Sequence, residues 1–333
     1  MSELPLHPEL AGRRIVVHHR QWVVAKPEPL FTPLLEQAGY EVELRRDDRL
    51  TAGPDDVLLL MSTPTYFRRT FAELERLGSR RPVVGVWINE PLPMPRSAGL
   101  RREGLNHRQL GKIVLRRDDC RDHYSNGWRL RSLVRRGLID TVAVLSAERQ
   151  AYLAEHGVPS EVVQYGWYEG AGRDLGLERD IDVLFLGGLN RSRVRKLRRL
   201  RRRGVPVVHA GSWTDHSTWG EGRTQLMNRV KIELNLARIP GSFPGLRPLI
   251  GLANGTLLVS EPLVDPAPYV SGRHFVSAEL ADMPEAVAYY LAHEDERAGL
   301  VAAGQALLHS ELTLERSVER VLGLLAAAAR ERG

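Results

Sequence analysis

The sequence predicts an α/β protein of two doubly wound domains facing each other across a cleft. Three observations carry that prediction. Short apolar runs alternate with helical segments along the chain, a glycine- and charge-rich stretch interrupts the rhythm once, and 333 residues is the length of about two domains. Strands buried on both faces read as continuous apolar runs, and the helices between them cover a parallel sheet. No repeat with a period of roughly 20 to 50 residues occurs, which removes solenoids and propellers.

In the first half, Ile15–His18, Val42–Leu44, Val57–Met61, Val83–Trp87, Thr141–Leu145 and Val162–Tyr165 are the expected strands. Gly39 ends a helix around Phe31–Ala38 by supplying a left-handed C-cap. Ser146 is an N-cap candidate for the segment running to His156, which Gly157 and Pro159 stop. Residues 167–180, WYEGAGRDLGLERD, break the pattern and read as a linker between an N-terminal domain, 1–166, and a C-terminal domain, 181–333. The second strand series is Val183–Leu186, Val207–His209, Ile232–Leu236, Leu257–Val259 and His274–Val276. Asp282, Pro284 and Glu285 form a helix start, followed by the stripe Val287, Tyr290 and Leu291. The final helix, from about Leu314, has Val318, Val321, Leu322 and Leu325 on one face and is a candidate to pack back on the N-terminal domain.

The N-terminus is polar and proline-broken, unlike a signal peptide, and no apolar stretch reaches the roughly 18 to 20 residues that span a bilayer. A lone cysteine, Cys120, forms neither an internal disulfide nor a structural zinc site. A cytoplasmic protein is the expectation. The formal charge of +6 invites a nucleic-acid reading, but the basic residues are almost all arginine, with lysine only at Lys26, Lys112, Lys196 and Lys231. That ratio, together with abundant Ala, Gly and Leu, points to genome composition rather than partner choice. Residues Arg195–Arg203 hold 7 basic residues, with Val194, Leu197 and Leu200 as the packing stripe and no aromatic for base stacking. A solvated cationic face is the bland reading; weak attachment to an anionic membrane surface is the alternative, and no specific nucleic-acid partner is expected.

The segment Lys231–Glu261, KIELNLARIPGSFPGLRPLIGLANGTLLVSE, encodes strand, Gly/Pro turn, helix and strand. The backbone N–H groups of Gly245, Leu246 and Arg247 and the Arg247 side chain are placed to hold a diphosphate at such a corner, although a ligand-free α/β unit carries the same text. The turn LGGLNRSR, Leu186–Arg193, follows another strand and fits neither the dinucleotide fingerprint nor the P-loop. Gly187 and Gly188 allow close backbone approach there, and Arg191 or Arg193 is within reach of the same anion. In the N-terminal domain His18 and His19 end the first strand. Strand alternation lets at most one of them face the cleft as a base, and a structural histidine is the competing reading. Glu90, after VVGVWIN, has the same two readings. Asp119, Cys120, Asp122 and His123 match no zinc spacing, and Asp122 and His123 are expected to line the acceptor side; no metal site is expected.

Lys231, Asn235, the glycine-containing loop, Arg247, LANG with Gly255, LLVSE and PYVSGRHFV together resemble the donor-binding half of group 1, family 4-like glycosyltransferases of the GT-B fold, closest to the bacterial branch related to spore-coat maturation. The resemblance covers about residues 180–325 and, more loosely, VVGVWINEP. It implies two Rossmann-like domains and transfer of a sugar from a nucleotide diphosphate sugar to an acceptor molecule. Lys231 would stabilise the leaving group, with Asn235, Ser212 and Trp213 beside the nucleotide. Without an Asp-x-Asp motif in donor context, a metal-independent reaction needing no cofactor beyond the co-substrate is expected. The family pattern has a ribose-binding glutamate where this chain has Ile250. That departure keeps a non-catalytic sugar-nucleotide-binding protein and a nucleotide-sugar epimerase as alternatives. The sugar, base, acceptor, stereochemistry and oligomeric state are not encoded in any residue pattern.

Overall fold

The computed structural model describes residues 4–19, 28–100, 111, 123–212 and 216–333. They form two compact units, each built on one parallel sheet. In the first unit the strands are β1 (Ile15–His19), β2 (Val42–Arg45), β3 (Val57–Met61), β4 (Val83–Ile88), β5 (Thr141–Val144) and β6 (Glu161–Val162), in the order β2-β1-β3-β4-β5-β6. The helices are α1 (Glu28–Gln37), α2 (Arg68–Leu77), α3 (His123–Arg135) and α4 (Ala147–Ala154). In the second unit β7 (Ile181–Leu186), β8 (Val207–Ala210), β9 (Val230–Asn235), β10 (Leu257–Ser260) and β11 (Val276–Ser277) lie in the order β11-β10-β9-β7-β8. Its helices are α5 (Arg191–Arg202), α6 (Gly220–Asn228), α7 (Arg247–Ala253), α8 (Met283–Ala292) and α9 (Glu294–Ser310). All eleven expected strands form, with ends shifted by a few residues.

The central strands are apolar because helices cover both faces of each sheet: β3, VLLLM, is buried at every position. In the first sheet Val84, Val86 and Ile88 pack with Leu58, Leu60, Phe67 and Leu130 on one face. On the other, Trp87 stacks on Phe31 at 5.4 Å and donates its indole N–H to Val163 O at 2.9 Å. Gly85 shares that second face, and a Cβ there would stand 2.5 Å from Leu325 Cδ2. Leu325 belongs to α10 (Leu314–Arg332), so Glu315–Gly333 is part of the first unit. The close approach of α10 explains a glycine in the middle of a buried strand.

Residues 167–180 are fastened to the second unit rather than strung as a connector. Trp167 N donates to Leu312 O at 2.5 Å, Leu314 N donates to Trp167 O at 3.0 Å, and Leu175 N donates to Asn228 Oδ1 at 2.6 Å. Gly166 makes this pairing possible, since a Cβ there would lie 2.0 Å from Thr313 O. The partition falls between Gln164 and Tyr165 on the way out and between Leu314 and Glu315 on the way back.

Two expected helix caps do not form. Ser146 and Asp282 occupy N-cap positions, but neither side chain makes a capping bond, and Asp282 itself has helical dihedrals. Asn190 does cap, its side chain accepting from Arg193 N at 2.8 Å. Among the described residues no helix is long and apolar enough to cross a membrane.

His18 is wholly buried on the Phe67 face of β1, and among the described residues neither ring nitrogen has a hydrogen-bond partner. Burial pushes its pKa down to about 4 from 6.5. A depressed histidine pKa gives stability that is complete above the unfolded-state value and is lost as pH falls through the folded one. Between about pH 6.5 and 4 the first unit therefore loses up to ~3 kcal/mol through this residue alone. Urea unfolding measured across that range should show a shallower acid limb in His18→Leu than in the wild type.

Candidate functional site

In open parallel sheets, ligands meet the chain beyond the C-terminal strand ends. In the second unit those ends carry the Gly187–Asn190 turn after β7, Gly211 and Ser212 after β8, the long turn from Leu236 after β9, and Glu261 after β10. Phe185, buried near the end of β7, is the platform: the Arg193 guanidinium lies 5.3 Å and that of Arg247 5.6 Å from its ring centre.

Arg193 points inward from the first turn of α5, beside Leu197 and Leu200, and is 9% exposed. Its Nε donates to Leu236 O at 2.8 Å and its Nη1 to Gly188 O at 3.0 Å, tying the β7 turn to the β9 turn. Burial first, and then the charges of Arg247 and Arg238, push its pKa down to about 9. It still carries its charge at neutral pH.

Arg247 opens α7. Its Nη2 donates to Leu186 O at 2.8 Å and its Nη1 pairs with Glu233 Oε1. Glu233 sits within β9 on the α6/α7 side, 1% exposed, and burial raises its pKa despite that pairing. Its other oxygen, Oε2, has no partner among the described residues, and a Cβ on Gly251 would lie 3.3 Å from it. Arg223 of α6, 3% exposed, adds a favourable charge to Glu233 while its Nη2 donates to Gly170 O at 2.8 Å. At the next strand end Lys196 pairs with Glu261 at 2.6 Å, and the same carboxylate oxygen accepts Ala237 N at 2.6 Å.

Gly187 has φ +130, and a Cβ there would stand 3.4 Å from Arg247 Nη2, so this glycine lets the guanidinium lie against the turn. Gly245, at φ +68, turns the chain into α7. Gly245, Leu246 and Arg247 stand at the start of that helix, where the Ile250 N to Leu246 O bond at 2.9 Å begins the helical ladder. Arg191 is exposed at the start of α5, and Ser212 is exposed after β8. Trp213 and Asp122 lie outside the described residues.

Lys231 needs correction. It is the second residue of β9, whereas Asn235 is the last, so the two are separated by about 13 Å along the strand. Its ammonium is paired with Asp182 at 2.6 Å, at the N-terminal ends of β9 and β7. The ammonium is at the opposite end of the sheet from Arg193 and Arg247, and it plays no part in that cluster. Asn235 is at the right end but is 1% exposed, its Nδ2 donating to Ser260 Oγ at 2.9 Å, which joins β9 to β10. In the first unit His19 is buried at the last position of β1, on the opposite face from His18; Glu90 is half-buried in the bend after β4; and His123 begins α3, its ring 4.2 Å from that of Tyr124. Glu233, the residue that orients Arg247, went unnoticed in the sequence. The available signal was an acid inside a strand otherwise flanked by apolar residues, a position that is costly without a partner.

Two doubly wound parallel α/β units define the class, the GT-B fold. Residues 191–323 match a family model described as glycosyl transferase-like. Solved structures similar along nearly the whole chain include Anabaena Alr3699/HepE in complex with UDP and glucose, at 11% identity and TM-score 0.63, covering 95% of this chain and 100% of that one. Sucrose-phosphate synthase from Thermosynechococcus elongatus, at 11% identity and TM-score 0.61, covers 96% and 100%. The α,α-trehalose 6-phosphate synthase from Burkholderia multivorans, at 13% identity and TM-score 0.59, also covers 96% and 100%. No curated protein matches the chain.

Removing one partner of a buried ion pair strands the other charge, at a cost of about 3–5 kcal/mol. Arg247→Met should therefore destabilise by that order in urea unfolding at neutral pH. Adding Glu233→Gln to it should recover most of the loss, because the stranded carboxylate is gone.

Proposed function

We propose that the protein is a glycosyltransferase that moves a sugar from a nucleoside diphosphate sugar to an acceptor hydroxyl or amine, in the cytoplasm and without a metal ion. The observation that carries this reading is the charge balance at the C-terminal end of the second sheet. Arg193, Arg238, Arg247 and Lys196 gather there against the carboxylates of Glu233 and Glu261. Arg223 adds to them, so cations outnumber carboxylates among the described residues there, and a nucleotide sugar brings one negative charge on each of two phosphates. The leaving diphosphate gains charge as the glycosidic bond breaks, so fixed guanidinium and backbone donors stabilise the transition state more than the bound donor. Positive charge already in place does the work a divalent cation does elsewhere, which is the reason for proposing a metal-independent reaction. Ser212 is proposed beside the nucleoside, and His19, Glu90 and His123 on the acceptor side. The match to a glycosyl transferase-like model and the solved relative holding UDP and glucose support the same reading.

Ile250 favours a second reading, a protein that binds a nucleotide sugar without transferring it. Its side chain packs with the Leu184, Met227 and Val230 cluster, so it offers no polar group to a ribose.

Calorimetric titration with UDP, GDP and ADP, followed by donor hydrolysis assays, tests both. The transferase should bind one nucleotide and release sugar from the matching donor. Arg247→Ala should lower turnover on the order of 10²-fold in protein verified as folded. Lys231→Ala should leave turnover unchanged, because that lysine is engaged at the far end of the sheet. Binding without sugar release supports the second reading, and no binding of any nucleotide overturns both.

A further inference from the structure

We propose that the outward face of α5 docks on an anionic lipid bilayer. This inference does not rest on the glycosyltransferase reading. Arg193, Leu197 and Leu200 turn that helix inward. Directly opposite them, Arg191, Arg195, Arg198 and Arg202 follow one another at spacings of four, three and four residues. At 3.6 residues per turn this places four guanidiniums in one line along about 16 Å of helix. All four are exposed, and none forms an ion pair among the described residues. Of the other basic groups of the helix, Lys196 pairs with Glu261 and Arg201 donates to Val207 O, while Arg199 is exposed to one side of the row.

Like charges three and four residues apart destabilise a helix, and α5 contains no acid to relieve them. The free protein therefore keeps an unneutralised row of cations, and an extended anion laid along the helix is its electrostatic complement. A bilayer fits better than a nucleic acid for two reasons. The face has no aromatic residue on which a base would stack. It is bordered instead by apolar side chains held in water, Leu189 just before the helix, 46% exposed, and Val194 in it, 36% exposed, which suit the boundary between headgroups and acyl chains.

The test is co-sedimentation of the whole chain with vesicles of phosphatidylcholine alone or mixed with phosphatidylglycerol, across a range of salt. Binding should require phosphatidylglycerol and weaken as salt rises. The variant Arg195→Glu, Arg198→Glu, Arg202→Glu should lose more than about 100-fold in partitioning, at roughly fivefold per arginine removed. The milder Arg195→Gln, Arg198→Gln, Arg202→Gln should lose most of it and guards against misfolding of the first. A control with the same change in net charge, Arg76→Glu, Arg80→Glu, Arg320→Glu, alters exposed arginines of the first unit that form no ion pair among the described residues and should bind nearly as wild type. The proposal is overturned if the wild type ignores anionic vesicles, if the control loses as much as the α5 variants, or if duplex RNA outcompetes the vesicles.

Discussion

Glu233 and Arg247 form an ion pair in a place where neither charge is affordable alone. An isolated carboxylate inside a parallel sheet is expensive enough that the group protonates rather than stays charged, and the direction of the Glu233 pKa shows that pressure. Arg247 counters it from the first residue of α7, and in doing so fixes where that helix begins over the sheet. Its second nitrogen reaches the Leu186 carbonyl and its plane lies over Phe185, so β7, β9 and α7 share one guanidinium. Gly187 leaves room beside Nη2, and Gly251 keeps α7 close to the carboxylate. Only one oxygen of the Glu233 carboxylate is paired among the described residues, so the network carries a cost that a wholly apolar core would avoid.

The strands are easier to read in the sequence than the site is. Runs such as VLLLM and VVGVWI allow little besides buried strand, and every expected strand is present. The caps were less legible, because a serine or aspartate at the right position still needs a side-chain rotamer that reaches the backbone, and tertiary packing decides that. The pattern of α10 predicts its apolar stripe, but its destination depends on Gly85 leaving space for Leu325 on a strand more than two hundred residues earlier. Arg247 and Arg193 were legible from their places at turns after strands. Lys231 misled because closeness in sequence to the β9 turn says nothing about which end of the strand a residue occupies. A six-residue strand separates its ends by more than any lysine spans.

The arginine surplus resolves into separate physical roles once the fold is known. Arg81 is buried in a two-pronged pairing with Asp140, at 2.6 and 2.7 Å, whose carboxylate also accepts Val84 N, so it joins β4 to the approach of β5. Arg179 donates to the Val230 and Asn254 carbonyls and holds residues 167–180 against the second sheet. Arg193 braces two turns. The outward row on α5 forms no ion pair among the described residues, and composition alone does not separate it from the rest.

The first unit's sheet receives its α10 cover from residues 315–333, about 150 residues after β6. At ribosomal speeds that interval is on the order of ten seconds. Throughout it the newly made sheet has no helix over Gly85, and the neighbouring apolar side chains stay open to chaperones or to another nascent copy. The leading half of the chain thus completes its fold only after the last helix has been made.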